Sequence, residues 1–155
     1  MTLSGARVVV VGGTSGMGLA TARAAAALGA EVVVGLGAVG APVDAALDNV
    51  GGQMLADAHA LLRPGGLVLS VGMASLEPTT IDFEAARLRA SGTRIETFVV
   101  GARTGEDLAH LVALLAAGRL DPQVGWRGPW SRAGEAAAAL LGRRVRGKAV
   151  LEVAS

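Results

Sequence analysis

The chain has 155 residues, 52% of them hydrophobic and 17% charged, with a net charge of +1. That length fits one domain, the composition excludes disorder, and the near-neutral charge gives no general attraction to nucleic acid. With no cysteine at all, disulfides and thiolate metal sites are excluded, and an aromatic content of 3% leaves Ala, Val and Leu to build the core. The opening Met-Thr-Leu-Ser-Gly-Ala-Arg lacks a long apolar stretch with a cleavage site, and no apolar run is long enough to span a bilayer. A cytoplasmic protein with no membrane partner is expected.

In chain order, a first strand is predicted over Arg7–Val11, a helix over 16–28 and a second strand over Glu31–Val34. A loop of Gly35–Pro42 leads to a third strand, Val43–Leu47, and a helix over 53–62 that Arg63-Pro64-Gly65-Gly66 ends. A buried strand at 67–71, a loop to Ile81, a helix over 82–90 and a strand at Thr93–Val100 follow. A helix over 105–117, a tail with Trp126 and Trp130, an Ala-rich helix over 132–141 and a last strand at 149–153 complete the chain. Alternating strands and helices imply an open parallel α/β sheet with helices on both faces, reduced in size. One domain over 1–155 is expected, with a first βαβ segment at 1–35, the rest of the sheet at 43–121 and the tail at 122–155.

The loop Gly35–Pro42 is short for its task. Parallel neighbours need a crossover of a dozen or more residues. Fully extended, this link reaches about 27 Å at roughly 3.3 Å per residue, while a strand of about 17 Å must be retraced. Three solutions are open: a sheet that is short there, a displaced second strand, or exchange of the first segment with a partner chain.

The most informative stretch runs from Val8 to Gly18: four valines, then Gly12-Gly13-Thr14-Ser15-Gly16-Met17-Gly18, then an Ala-rich helix. Strand, glycine turn and helix form the phosphate-binding part of a dinucleotide fold of Rossmann type. The glycines permit a tight turn, a close approach of backbone amides to a pyrophosphate, and helix packing against the sheet; the helix N-terminus adds unpaired N–H groups and partial positive charge. A Gly-rich turn that binds nothing is the bland alternative, and a P-loop is excluded because no Gly-Lys-Ser/Thr follows.

Residues 1–35, with Gly12-Gly-Thr-Ser-Gly-Met-Gly18 and Gly29-Ala-Glu-Val-Val-Val34, resemble the opening of a short-chain dehydrogenase/reductase. From Val43 onward, Asp44-Ala-Ala-Leu-Asp-Asn-Val-Gly-Gly52, Leu62-Arg-Pro-Gly-Gly66, Val71-Gly-Met73, Gly118-Arg-Leu120 and Arg146-Gly-Lys-Ala-Val-Leu151 resemble the cofactor-binding half of a zinc-free medium-chain dehydrogenase/reductase, of the quinone or enoyl reductase type. A medium-chain fragment with an unusual opening, a natural fusion and an engineered one all remain open. The resemblance implies that Gly12, Thr14, Ser15, Gly16, Met17 and Gly18 cradle the pyrophosphate, and that Asn49, Val50 and Gly51 line the ribose. It further implies that Val71, Gly72 and Met73 line the nicotinamide, and that Phe98, Val99 and Val100 approach the carboxamide. The cofactor is expected to be NADP(H), with NAD(H) as alternative: Gly35 stands where an acidic residue would bind the adenosine ribose, which argues against strict NAD, although the basic partner that NADP would call for is absent as well.

The short-chain Tyr-x-x-x-Lys pair cannot be present, since the chain has no tyrosine and Lys148 is its sole lysine. The medium-chain substrate domain, which carries that family's catalytic groups, has no counterpart in these residues. Catalytic residues are therefore unassigned. His59 and His110 read as helix residues, Ser70 and Ser75 as hydrogen-bond donors without an activating base, and no metal site is expected. The cluster Arg143, Arg144, Arg146 and Lys148 reads as a solvated turn, with a nucleic-acid patch as the sharper alternative. Trp126 and Trp130 are candidates for an interface anchor or a local cap. A homodimer is expected, through the apolar edge strand Thr93–Val100 or by exchange of the N-terminal segment. Three functions compete: a reductase of quinones, enones or carbonyls that relies on cofactor placement; a non-catalytic dinucleotide-binding module serving a separate chain; and a structural remnant.

Overall fold

The computed structural model describes residues 2–14, 16–99, 101 and 104–153. They divide into two compact units, one up to Val99 and one from residue 100 onward.

The first unit runs β1 (Arg7–Val11), α1 (Gly16–Ala27), β2 (Glu31–Val33), a 3₁₀ turn (Leu36–Ala38), β3 (Val43–Asp48), α2 (Gly52–Ala60), β4 (Leu62–Ser70), α3 (Phe83–Arg89) and β5 (Arg94–Thr97). The five strands form one sheet in the order β2-β1-β3-β4-β5, and every pairing is parallel. The fold is therefore the expected open α/β sheet. Valines in β1 supply the centre because side chains alternate between faces. Val8 and Val10 pack with Ala22 of α1, while Val9 and Val11 pack with Val43, Ala46, Val68, and Leu55 and Ala58 of α2. The two helices thus cover opposite faces. With Ala at the contact positions, α1 lies close to the sheet despite the lack of aromatic bulk.

The link after β2 closes within one chain because β2 is short. Its three residues pair only with Arg7, Val8 and Val9, the lower half of β1. The distance to retrace is then about 10 Å, not a full strand. The link is also structured: Leu36 and Val39, on and just after the 3₁₀ turn, pack against the Val9 side of the core.

A second difference from expectation concerns Arg63-Pro64-Gly65-Gly66. These residues do not end a helix. The helix stops at Ala60 and β4 begins at Leu62, which pairs with Val43; the ladder resumes with Ala45 opposite Leu67. Residues 63–66 bulge out opposite Asp44 alone. Proline is tolerated there because a bulge leaves its missing N–H unneeded. The bulge is tied down: Gly65 N–H donates to the Ser91 carbonyl at 2.9 Å, and Arg63 pairs with Asp44, whose other carboxylate oxygen accepts the Arg7 N–H at 2.7 Å. At α3, Asp82 Oδ1 accepts the Ala85 N–H at 3.0 Å as an N-cap.

The second unit contains α4 (Gly105–Ala116), β6 (Val124–Pro129), a 3₁₀ turn (Trp130–Arg132), α5 (Ala133–Leu141) and β7 (Lys148–Glu152). β6 and β7 pair in parallel, so α5 is the crossover of a small βαβ unit that buries Ala136 and Ala139. β6 was not expected, since Val-Gly-Trp-Arg-Gly-Pro carries three strand-disfavouring residues. Packing overrides that propensity. The Trp126 ring lies along the strand over Gly128, where a Cβ would stand 2.7 Å from the indole. The Arg132 guanidinium sits 5.6 Å from the same ring centroid, in cation–π range. Trp126 is thus the local cap, while Trp130 is 63% exposed. Arg143, Arg144 and Arg146 precede β7 and Lys148 is its first residue.

This core predicts a sharp contrast between two leucines. Leu55→Ala, at a buried site on α2, should lower unfolding free energy by about 2–5 kcal/mol. Leu88→Ala, at an exposed site on α3, should change it by less than about 0.5 kcal/mol, both read from urea denaturation.

Candidate cofactor site

In an open parallel sheet, ligands bind outside the carboxyl ends of the strands where the strand order reverses. Here the chain leaves β1 for β2 on one side and returns to β3 on the other, so the reversal lies between β1 and β3.

At the end of β1, the Gly13 N–H closes the turn onto the Val10 carbonyl at 3.1 Å. α1 then begins at Gly16. Gly18 permits the contact between turn and helix, because a Cβ there would stand 2.2 Å from the Gly12 carbonyl oxygen. Gly16 has φ +53°, and a Cβ built there would meet nothing within 4 Å beyond its chain neighbours and its own helix. The first turn of α1 holds no acidic residue, which leaves its partial positive charge uncompensated. Thr14 and Met17 are exposed at this opening.

The end of β3 is organised by a buried carboxylate. Asp48 is 0% exposed; its Oδ1 accepts the Val50 N–H at 3.2 Å and its Oδ2 the Gly51 N–H at 2.8 Å. Its main-chain carbonyl accepts the N–H groups of Val71 at 2.7 Å and Gly72 at 3.2 Å. Asn49 reaches the other way, donating from Nδ2 to the Val11 carbonyl at 3.3 Å. Its own carbonyl accepts from Ala74 at 3.4 Å, and that of Val50 from Ser75 at 2.8 Å. The carboxyl ends of β1, β3 and β4 are therefore stitched into one rim.

This rim brings together three of the four residue groups named from the sequence: Gly12, Thr14, Gly16, Met17 and Gly18; Asn49, Val50 and Gly51; and Val71, Gly72 and Met73. Of the fourth group, Phe98 continues β5 by one bond, its N–H donating to the Ser70 carbonyl at 2.8 Å. Phe98 and Val99 are 51% and 79% exposed beside the end of β4. Ser15 and Val100 lie outside the described residues. Sequence reasoning overlooked Asp48. Its signal was an acid ending an apolar strand immediately before Asn-Val-Gly-Gly, where loop amides need an acceptor.

His59 stands apart from the rim, near the far end of α2. It is buried, with Nε2 3.1 Å from Thr93 Oγ1, and burial together with the nearby Arg89 guanidinium holds its pKa below the ordinary imidazole value. His110 lies on α4, exposed. Ser75 Oγ accepts the Glu77 N–H at 3.2 Å. At the β2 end, no charged residue occurs from Val34 to Val43.

A profile of zinc-binding dehydrogenases matches residues 24–151, and the chain belongs to that family. The match begins inside α1, after the glycine turn. Among solved structures, the quinone oxidoreductase of Coxiella burnetii is similar at TM-score 0.68 and 24% identity, over 97% of this chain and 54% of that one. A mycobacterial protein solved in complex with NADPH is similar at TM-score 0.67 and 23% identity, over 96% of this chain and 57% of that one. A 2-haloacrylate reductase follows at TM-score 0.61 and 22% identity, over 96% and 57%. The chain thus spans about half the length of these structures. No curated protein matches its sequence.

Among the described residues no three His, Cys, Asp or Glu side chains gather, and the chain has no cysteine. The residues present are compatible with a dinucleotide: the start of α1, with no acid in its first turn, lies at the strand-order reversal, an arrangement that suits a pyrophosphate.

Two outcomes follow. Asp48→Ala leaves the buried amide of Gly51 and the part-buried amide of Val50 without their acceptor and should cost about 1–3 kcal/mol for the buried one in urea denaturation, with less from the other. For His59, the unfolded state binds a proton that the native state refuses, so stability should fall as pH drops below about 6.5 and level off beneath the lowered native value. His59→Gln should flatten that part of the profile in thermal denaturation.

Proposed function

We propose that this chain binds NADP(H), with the pyrophosphate on the amides that open α1, and serves as the cofactor-binding half of a reductase of quinones, enones or carbonyls. The observation that carries this reading is the start of α1, with no acid in its first turn, at the point where strand order reverses. The NADPH complex of the mycobacterial neighbour and the reductase names of the others support it.

In this reading the N–H groups of Gly16, Met17 and Gly18 hold the diphosphate. Asn49, Val50 and Gly51 line the ribose, and Val71, Gly72 and Met73 line the nicotinamide with Phe98 and Val99 beyond. Thr14, Ser15 and Val100 complete the set. The cofactor supplies the hydride chemistry when bound. The chain's own residues contribute binding and orientation, and orientation is a large part of what a hydride-transfer site must provide. Asp48 serves this site as a positioning residue, its two oxygens accepting the Val50 and Gly51 amides. No tyrosine exists to protonate an oxyanion. NAD(H) is the competing cofactor.

A second reading, a dinucleotide-binding module that docks on a separate substrate-binding chain, is favoured by one observation. Met17, Met73, Leu76, Phe98 and Val99 are all more than half exposed around the strand ends. We read residues 1–155 as one dinucleotide-binding domain, cytoplasmic, with the short-chain-like opening at 1–35. We further read it as a homodimer that pairs through the free edge of β5, a surface that proteins rarely leave bare.

Fluorescence titration tests the proposal. NADPH should bind saturably, and more tightly than NADH. Gly16→Asp should weaken NADPH binding at least tenfold while leaving thermal stability nearly unchanged, since Asp tolerates positive φ and suits a helix N-terminus yet repels a diphosphate. Absence of saturation by either nucleotide at millimolar concentration defeats the reading. Oxidation of NADPH against a panel of quinones, enones and aldehydes separates the reductase from the binding module.

A further inference from the structure

At the opposite end of the first unit from the glycine turn lies a pocket of about 320 Å³ that the dinucleotide reading does not use. Val39, Ala41 and Pro42 of the short link form one wall, and Leu61 and Leu62 form another. Its single charged lining residue is Arg89, in the last turn of α3. The volume falls at the small end of the range for ligand sites, about 300–1,000 Å³.

Arg89 differs from its neighbours. Arg63, Arg87 and Arg94 each face a carboxylate: Asp44, Glu84 and Glu96. Arg89 forms no ion pair among the described residues, and no acid lines the 320 Å³ pocket. Arg89 also lines a second cavity, of about 200 Å³, together with His59, Asp57 and Asp82. Both of those acids are already engaged, Asp57 by the Gln53 amide at 2.8 Å and Asp82 as the cap of α3 at 3.0 Å. A largely apolar slot lined by an arginine that has no ion pair suits a molecule with a hydrocarbon body and a carboxylate head, which guanidinium binds through two parallel N–H groups.

We infer that this pocket is a binding site for small aliphatic carboxylates, separate from the cofactor rim, with Arg89 holding the head and Val39, Ala41, Pro42, Leu61 and Leu62 enclosing the chain. The site exists because the link between β2 and β3 is short: residues 39–42 fold past the end of α2 without a helix to fill the space.

The chain's two histidines allow a direct test with hexanoate, followed by the ring-proton NMR signals of His59 and His110. Hexanoate at Arg89 should move the His59 signal saturably and raise its titration midpoint, because the bound anion offsets the guanidinium. His110 should not move. Arg89→Gln should abolish the response. Ala41→Phe, which fills the slot from an exposed position and keeps the guanidinium, should reduce it at least tenfold. Hexanol and sulfate at the same concentration should each produce far less than hexanoate. The inference is overturned if His59 does not respond, if Arg89→Gln or Ala41→Phe responds like the parent protein, or if sulfate saturates the signal as readily as hexanoate. None of these readouts depends on nucleotide binding, so failure here leaves the cofactor reading standing, and the reverse.

Discussion

The buried carboxylate of Asp48 holds the functional end of this molecule together. An ionised side chain without solvent contact is costly unless its lone pairs are satisfied. Here both oxygens receive backbone amides from the loop that follows, and the residue's own carbonyl receives two more from the end of β4. Asn49 then fastens the same loop to the last residue of β1. Three strands that would otherwise end in independent loops share one bonded rim. The glycine turn is built against it: a Cβ at Gly12 would meet the Val50 side chain at 3.4 Å.

The opposite end of the first unit is governed by a different economy of parts. A three-residue β2 pairs with only half of β1, which lets eight residues from Gly35 to Pro42 cross to β3. Apolar anchors at Leu36 and Val39 replace the helix that a longer crossover would contribute. What the shortened link leaves uncovered becomes the pocket at Arg89. The ligand rim and the shortened crossover thus depend on different residues.

Much of this was legible in the chain itself. The valine run, the glycine turn and the Ala-rich helix dictate β1 and α1 because hydrophobic period and turn chemistry agree there. Asp82 announced the start of α3. The rim residues could be located because parallel strands place all their carboxyl ends on one side. Three things were hidden. Pro64 and two glycines read as a stop, although a bulge held by Asp44 and Ser91 absorbs them. β6 had no propensity to announce it and exists through Trp126 lying on Gly128 and pairing with β7. Asp48 looked like a turn residue, since burial of a charge is decided by partners far away in sequence.

The division between the two ends bears on how such a fold can be altered. A connection with open space beside Gly37 and Gly40, where side chains would stand, accepts added length at a cost that grows only logarithmically, about 0.6 kcal/mol for each doubling. Insertions there can accumulate with the glycine-turn end untouched. A dehydrogenase sheet can in this way shed a strand and its helix in evolution, or receive a grafted segment in the laboratory, by changes confined to its far side.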